Sequence, residues 1–292
     1  MRFMNTEYGT LYIVATPIGN LGDITIRALE TLKNADIVAA EDTRQTGKLL
    51  NHFEIRKPMI SYFEHNKAQR GPQIIEKLKQ GLNVALVSDA GTPGISDPGA
   101  DIVKEAISEE IKVTMVPGPV AGIMAVVLSG LDTSSFIFQG FLPEEKKKRK
   151  AILEEFRTQT RTVIFYESPH RIETTLKEIS EILGGGRRLA LCRELTKMYE
   201  EIVLKSVDEH LSDFSAKPPR GEYVMVMEGV DSQTLSEMNQ AEWAEISVKD
   251  HVDSYINTGM DRKAAIKKVA LERRSSRNEI YNKYELEKSV DK

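Results

Sequence analysis

Residues 83–99 read Asn-Val-Ala-Leu-Val-Ser-Asp-Ala-Gly-Thr-Pro-Gly-Ile-Ser-Asp-Pro-Gly. The apolar run at residues 83–88 predicts a buried strand, and the loop after it is rich in Gly, Pro and Asp. Asp97-Pro98 is typical of a helix start, with Asp as the cap and Pro at the first helical position. A helix to about residue 109 and a strand at residues 112–116 complete a β-α-β unit. This unit favours a parallel sheet with helices on both faces.

The same alternation of predicted strands and helices occurs before residue 83. Residues 11–15 and 37–40 predict two further buried strands, and the helix between them has an apolar face that includes Ile26, Leu29 and Leu32. We therefore expect an N-terminal parallel-sheet α/β domain over residues 1–118, which ends within the sequence Pro117-Gly118-Pro119.

A second α/β domain is expected over residues 119–230. Ser168-Pro169 favours the start of a helix, and three glycines from Gly184 onward favour its end. Short connections between the later strands predict a mixed sheet. The predicted strands are residues 136–140, 162–166, 188–192, 201–205 and 222–227.

The chain then changes character, because residues 231–292 carry no strand pattern. Three short helices are predicted at residues 247–257, 261–272 and 276–287. Residues 261–288 hold nine basic and five acidic side chains. Two interpretations stay open, a helix-turn-helix that binds nucleic acid and a helical cap that packs on the main body.

Composition excludes several classes of protein. The chain has 292 residues, of which 40% are hydrophobic and 29% charged, which is typical of a soluble globular enzyme of about two domains and not of a disordered or fibrous protein. No apolar run approaches the roughly 18 residues that span a bilayer, and no signal peptide precedes the first strand, so we expect a cytoplasmic protein without a membrane segment. A single cysteine, Cys192, and five scattered histidines give no metal signature.

The net charge of −4 argues against a protein that coats nucleic acid, because such binding needs clustered Lys and Arg. Two local clusters exist, at residues 144–150 and 261–288. A solvated helix face is the alternative interpretation of the first cluster.

Three loops follow strands of the first domain and are crowded with Gly, Pro and Asp, at residues 16–23, 88–99 and 116–121. Neither the dinucleotide fingerprint nor the P-loop occurs in the chain. In open α/β sheets ligands bind beyond the carboxyl ends of strands, where small residues let backbone amides approach. The loops favour a pocket for a cofactor that carries an uncharged base or an amino acid. Tight turns with helix caps are the alternative.

Carboxylates and cations also cluster at predicted strand ends, within residues 40–44, 166–171, 192–197 and 218–222. One such pair is usually structural. Four clusters across two domains favour a polar cleft between them. These patterns by themselves predict a two-domain α/β enzyme with a polar substrate.

Taken in order, these segments resemble the ribosomal RNA small subunit methyltransferase I family, the 2′-O-methylating members of the tetrapyrrole-methylase superfamily. The resemblance runs from Gly9 to about Gly229 and is weaker in the tail. It implies S-adenosyl-L-methionine as the methyl donor, bound between two α/β domains, and a homodimer. It also implies a cytidine ribose in the decoding region of 16S rRNA as the substrate, presented on the small ribosomal subunit. The segments that carry it are residues 15–23, 40–44, 86–99, 116–119, 140–143, 165–171, 192–197 and 220–222.

The resemblance implies a set of site residues as well. The residues implied for the cofactor pocket are Pro17, Asp89, Gly91, Thr92, Pro93, Ile95, Ser96, Val116, Gly118, Ser129, Leu131, Phe138, Tyr166, Cys192 and Gly221. The residues expected to contact RNA are Arg44, His170, Arg171, Arg193 and Arg220.

Transfer of a methyl group from a sulfonium is an in-line displacement, so catalysis rests mainly on holding the ribose oxygen about 3–3.5 Å from the methyl carbon. A positioned base adds roughly 10²–10⁴-fold, and no metal is needed. We rank Glu194 and Lys197 first as bases, the latter if burial lowers its pKa, followed by Glu41 or Asp42 and by Glu167.

Three other functions remain open from the sequence. One is a methylase that acts on a tetrapyrrole, which shares the fold. The second is a non-enzymatic ribosome-assembly factor with a vestigial cofactor pocket, and the third is a DNA-binding regulator that acts through the tail. The basic clusters and the Ser-Pro-His-Arg sequence at residues 168–171 favour RNA.

Overall fold

A computed structural model of the chain describes residues 7–290. Contacts divide it into two units. The first comprises the chain up to Phe156 together with Arg161–Glu228, and the second comprises Arg157–Thr160 and the chain from Gly229 onward. Both sheets of the protein belong to the first unit. The domain boundaries expected at residues 118 and 230 stay a prediction.

The N-terminal sheet has five parallel strands in the order β3-β2-β4-β1-β5. Alternate strand residues enter two separate cores, so that Ile37 and Ala39 of β2 pack on one face and Val38 and Ala40 on the other. This is why the strands are almost wholly apolar. The strands are Thr10–Val14 (β1), Ile37–Ala40 (β2), Met59–Ser61 (β3), Val84–Val87 (β4) and Lys112–Val116 (β5), and the helices are Ile26–Asn34 (α1), Thr43–His52 (α2), Lys67–Lys79 (α3) and Gly99–Ser108 (α4).

The second sheet is mixed, with the order β6-β7-β10-β8-β9, and β6 and β7 are its parallel pair. One face packs on α6, α7 and α8, and α5 lies on the other face. The strands are Phe136–Phe141 (β6), Thr162–Glu167 (β7), Arg188–Arg193 (β8), Glu201–Ser206 (β9) and Tyr223–Met227 (β10), and the helices are Ala121–Leu128 (α5), Lys146–Glu155 (α6), Ile172–Leu183 (α7) and Val207–Ala216 (α8).

The second unit is helical. Helices α10, α11 and α12 enclose a core of their own that includes Val252, Ile266, Val269 and Tyr284. Its helices are Ser232–Glu245 (α9), Val248–Asn257 (α10), Arg262–Glu272 (α11) and Arg277–Val290 (α12).

The predicted α/β class, with a parallel and a mixed sheet, is confirmed. Strand β3 was missed because three residues are too short to show a period, and helices α2, α3, α5, α8 and α9 were not predicted individually either. Ile26 is not a core residue, because 78% of its surface is exposed and α1 packs through Ala28 and Leu32 instead. Pro98, and not Asp97, occupies the cap position of α4.

The predicted helix after Ser168-Pro169 begins later, at Ile172. Among residues 7–290, no helix combines the length and the apolar character that a bilayer crossing requires.

Candidate functional site

Hydrogen bonds join the three glycine-rich loops at the carboxyl edge of the first sheet. The backbone N–H of Thr16 donates to the carbonyl of Gly91 over 2.8 Å, and the N–H of Gly91 donates back over 3.0 Å. The Thr92 hydroxyl donates to the carbonyl of Pro119 over 3.1 Å. The loops after β1, β4 and β5 therefore form one continuous backbone surface.

Gly91 has to be glycine in this arrangement. Its φ is +79°, which L side chains rarely adopt, and a Cβ there would lie 3.2 Å from the Ile18 side chain and 3.5 Å from the Pro119 carbonyl. The positive φ is therefore the main reason for glycine at this position, and the close approach to Ile18 adds to it.

A cavity of about 520 Å³ opens between this edge and the carboxylate-bearing end of the second sheet. Its size suits a small organic molecule. From the first sheet and its loops it is lined by Ile18, Glu41, Ser88, Asp89, Ala90, Gly91, Thr92, Ile95, Ser96 and Asp97. From α5 and the second sheet it is lined by Val120, Ala121, Phe141, Tyr166, Glu167, Ser168, Pro169, Cys192, Leu195, Glu222, Tyr223 and Val224.

About half of the expected cofactor residues line this cavity, namely Asp89, Gly91, Thr92, Ile95, Ser96, Tyr166 and Cys192. The other expected residues, which lie outside the lining, are Pro17, Pro93, Val116, Gly118, Ser129, Leu131, Phe138 and Gly221.

Ser129 and Leu131 follow the C-terminal end of α5, which is the end away from the cavity. The helix meets the cavity with Val120 and Ala121, whereas Ser129 closes its C-terminal end, where its hydroxyl donates to the Val126 carbonyl over 2.8 Å. Eight helical residues carry the chain about 12 Å away. Val120 and Ala121 belong to the loop at residues 116–121 that the sequence predicts as part of the pocket, but they were not among the individual residues expected to bind the cofactor.

Glu41 ends β2 within the cavity. Burial raises the pKa of Glu41, and the negative charges of Asp89 and Asp97 raise it further. Asp89 is itself held in place, because its carboxylate accepts the backbone N–H of Asp42 over 2.9 Å. A carboxylate with a raised pKa is a stronger base than an ordinary one.

Glu194, Lys197 and Glu222 form an ion-pair cluster on the second sheet. The Lys197 ammonium donates to Glu194 over 3.0 Å and to Glu222 over 2.8 Å. The backbone N–H of Glu222 and then the Lys197 ammonium lower the pKa of Glu194. Burial acts to lower the pKa of Lys197, but the two carboxylates outweigh it and raise that pKa. Neither member of the pair ranked first from the sequence is therefore a ready proton acceptor.

Lys197 instead ties the two sheets together. Its aliphatic stem lies against Gly19 of the loop after β1, where a Cβ would come within 2.5 Å of the Lys197 Cγ. Glu194 and Thr196 hold left-handed φ values of +52° and +66°. Such conformations cost about 1–3 kcal/mol each and persist where surrounding contacts fix them. The loop between β8 and β9 is thus held against the first sheet.

Glu167 is occupied structurally, although it borders the cavity. Only 3% of its surface is exposed, and its two carboxylate oxygens accept the Ser168 backbone N–H over 2.9 Å and the Thr175 hydroxyl over 2.7 Å. Arg171 lies 3.4 Å from the same carboxylate. These contacts hold the start of α7 on β7.

Tyr166 builds the apolar wall of the cavity. Its hydroxyl accepts the backbone N–H of Gly122 over 3.1 Å, and its ring meets Phe138 and Phe141 edge to face at 5.1 and 5.5 Å. Burial raises the pKa of Tyr166 and raises the pKa of Cys192 to about 12. The thiol of Cys192 therefore stays protonated and is not a nucleophile.

Three of the arginines expected to bind RNA already have partners. Arg171 donates to the carbonyl of Leu142, Arg193 contacts the Arg220 carbonyl and Glu201, and Arg44 pairs with Asp42. The Arg44 side chain lowers the pKa of Asp42 to about 2. His170 and Arg220 are exposed, and their side chains form no hydrogen bond or ion pair with another of residues 7–290.

The basic cluster at residues 144–150 is smaller than the sequence indicated. Arg149 is buried, with a bidentate pair to Glu178 at 2.5 and 2.9 Å, and it also donates to the Glu144 carbonyl. Lys146 and Lys147 remain exposed without a carboxylate partner among residues 7–290. The part of the chain that the structure describes holds no group of His, Cys, Asp and Glu suited to a metal ion.

Comparisons with known proteins agree on the family. The family model described as Tetrapyrrole (Corrin/Porphyrin) Methylases matches residues 10–210. The ribosomal RNA small subunit methyltransferase I of Halalkalibacterium halodurans is 48% identical over 281 residues, or 96% of each chain, and that of Bacillus subtilis is 46% identical over the same share. The enzyme of that name from Thermotoga maritima is 48% identical over 221 residues, which cover 76% of this chain and 99% of the relative.

Solved structures share the fold. Uroporphyrin-III-C-methyltransferase from Thermus thermophilus superimposes with a TM-score of 0.55 at 18% identity, over 75% of this chain and 94% of that one. Diphthine synthase superimposes with a TM-score of 0.57 at 15% identity, over 75% and 89% of the two chains. At these identities the likeness concerns the fold alone.

Proposed function

The chain belongs to the tetrapyrrole methylase family and, within it, to the ribosomal RNA small subunit methyltransferase I family, and from this we propose that it methylates ribosomal RNA. We propose S-adenosyl-L-methionine as the donor and the 2′-hydroxyl of a cytidine in the decoding region of 16S rRNA as the acceptor. The observation that carries the proposal is the cavity in which the glycine-rich loops face Glu41 and Tyr166.

The residues of the cavity fit such a donor. S-adenosyl-L-methionine supplies an activated methyl group on a positively charged sulfur, and it also bears an ammonium group. The acidic side chains of Glu41, Asp89 and Asp97 favour positive charge, and the backbone at Gly91 leaves room for close approach. Tyr166 and Phe141 offer an apolar surface for a flat base.

Glu41 is the proposed general base. As the ribose oxygen bonds to the methyl carbon, the carbon–sulfur bond of the donor would break and the sulfur would leave as a neutral thioether, while the hydroxyl proton would pass to the Glu41 carboxylate. The raised pKa of Glu41 suits this role, because an acceptor is most effective when its pKa lies near the working pH. Glu194 and Lys197 become positioning residues, since their charges already neutralise each other.

For RNA contact we propose His170 and Arg220, which are exposed, with a lesser part for Arg44, Arg171 and Arg193. Lys146 and Lys147 extend the positive surface. We propose that the enzyme is located in the cytoplasm, because its proposed substrate is part of the small ribosomal subunit.

A homodimer is proposed from an apolar face. Ile123, Val127 and Leu128 project from α5 with 46%, 66% and 45% of their surfaces exposed, and Phe138 on β6 adjoins Gly122 of the same helix. Exposed apolar residues grouped in this way mark association surfaces, and a two-fold dimer would cover both copies at once.

Purified small ribosomal subunits, labelled S-adenosyl-L-methionine and mapping of the modified nucleotide test the proposal. We expect label on a single ribose of 16S rRNA. Label on uroporphyrinogen and none on RNA would identify a tetrapyrrole methylase instead. Calorimetry with S-adenosyl-L-methionine tests the alternative of a non-enzymatic ribosome-assembly factor, because a vestigial pocket would give no heat of binding.

A further inference from the structure

The helical unit has the form of a helix-turn-helix. Helices α11 and α12 are joined by a turn of four residues, in which Arg274 takes a left-handed φ of +49°. The Ser276 hydroxyl accepts the Glu279 backbone N–H over 3.2 Å at the start of α12. Asp261 caps α11 in the same way, through the N–H groups of Lys263 and Ala264.

One face of α11 carries a row of cations. Lys263 and Lys267 lie four residues apart on α11, which keeps them on one side of the helix, and Arg274 follows in the turn after α11. Both lysines are exposed, whereas Ala265, Ile266, Val269 and Ala270 of the same helix are buried in the core of the unit. Arg277 begins α12 directly after the turn and is exposed. We refer to Lys263, Lys267, Arg274 and Arg277 as the basic stripe.

The other cations of this unit have partners of several kinds, since Lys268 and Lys288 lie over tyrosine rings and Arg273 donates to backbone carbonyls. Arg262 pairs with Glu285 and Lys283 with Glu279. In contrast, Lys263, Lys267 and Arg277 have no carboxylate partner among the described residues. Arg274 makes one hydrogen bond, to the Ser236 hydroxyl over 2.7 Å. Lys263, Lys267 and Arg277 therefore keep an exposed positive charge that no carboxylate of the described residues neutralises.

We propose that the basic stripe binds phosphate groups of the RNA substrate. This inference rests on the proposed function, and it assigns the helical unit to substrate affinity. In helix-turn-helix proteins the first helix of the motif crosses the nucleic-acid backbone, as α11 would here. The major groove of an RNA helix is too deep and narrow to admit α12, so the contacts are with phosphates and are largely independent of sequence.

The size of a known relative fits an accessory role. The Thermotoga maritima protein covers 76% of this chain with nearly all of its own length. A portion of this chain comparable in size to the helical unit thus has no counterpart there. A unit that only adds affinity for RNA does not contact the reacting atoms. A relative can therefore lack it and still carry out the reaction.

The test neutralises the three stripe cations that have no partner, in the full-length variant K263Q/K267Q/R277Q. Binding of a labelled RNA hairpin is measured across a range of salt concentrations. Each lost phosphate contact lowers the slope of log K against log salt by about 0.7–0.9, so we expect a decrease of about 2 and at least about tenfold weaker binding at low salt. The kcat on small ribosomal subunits should stay unchanged while KM rises.

The control variant K79Q/K177Q/K205Q removes the same formal charge from three lysines that pair with Glu109, Glu173 and Asp213. It should keep the wild-type salt slope, and both variants should keep the wild-type melting temperature. An unchanged slope in the stripe variant overturns the proposal. Unchanged hairpin binding with a raised KM on subunits also overturns it, in favour of a docking site for a ribosomal protein. Absence of methylation by the wild-type protein would refute the proposed function, and the salt slopes would still decide the role of the stripe.

Discussion

Two carboxylates directly follow strands of different sheets, Glu41 in the lining of the cavity and Glu194 outside it, and their surroundings shift their pKa values in opposite directions. Glu41, directly after β2, is half-buried near the two carboxylates of Asp89 and Asp97, and its pKa is raised. Glu194, just after β8, accepts hydrogen bonds from a backbone N–H and from Lys197, and its pKa is lowered. The comparison separates a group suited to accept a proton from one suited to hold a loop.

The largest expected effect follows from removing the proposed base. Glu41→Gln should lower kcat by about 10²–10⁴-fold, because the neutral amide cannot accept the ribose proton. Binding of S-adenosyl-L-methionine, followed by calorimetry, should persist. The matched control is Asp42→Asn, which removes the neighbouring carboxylate from outside the cavity lining and should leave kcat near the wild-type value. Near-normal turnover by the Glu41 variant would exclude Glu41 as the base.

The pH profile tests the same contrast without changing the proposed base. A base acts in its deprotonated form, so kcat/KM should be full well above the pKa of Glu41 and fall tenfold per unit as the pH drops through it. Because that pKa is raised, the acidic limb should lie above the ordinary value of 4.5. Asp89→Asn removes one of the negative charges that raise the pKa of Glu41, so it should move the acidic limb to lower pH. A limb that stays in place in this variant would contradict the assignment.

Gly19→Ala probes the contact that holds the loop. A Cβ at this position would strike the Lys197 stem, and the φ of +152° disfavours any side chain, so we expect about 1–3 kcal/mol lower stability and a raised KM. Gly130→Ala is the control, because Gly130 also has a positive φ (+71°) but a Cβ there would meet nothing within 4 Å. It should lose stability and keep KM. Equal KM values in the two variants would refute the role of the contact.

Lys197→Met should have the smallest effect. Methionine keeps most of the stem against Gly19 but leaves Glu194 and Glu222 without their shared cation, so we expect about a two- to tenfold rise in KM with kcat retained. Steady-state kinetics on small subunits measures both constants. A fall in kcat of a hundredfold or more at constant KM would instead mean that Lys197 acts on the reacting atoms.

Many strands and helices of the fold could be predicted from the local pattern of apolar and polar residues. The strands at Ile37–Ala40 and Lys112–Val116 were predicted with their observed bounds; the first is fully buried and continuously apolar, and the second is rich in valine and other strand-forming residues. The three-residue strand Met59–Ser61 was missed, since so short a segment has no period to detect. The helix Ser232–Glu245 was missed because its apolar residues form no regular face.

The sequence by itself determined the α/β class, the family and the gathering of glycine-rich loops at one sheet edge, because parallel strands bring their carboxyl ends together. Tertiary structure alone decided which carboxylate is basic, that Arg149 is an interior residue paired with Glu178, and that Ser129 lies away from the cavity. The reason is physical. The pKa of a side chain and its degree of burial depend on neighbours that folding brings close, such as Asp89 near Glu41. These neighbours are distant in the sequence, so no local pattern identifies them.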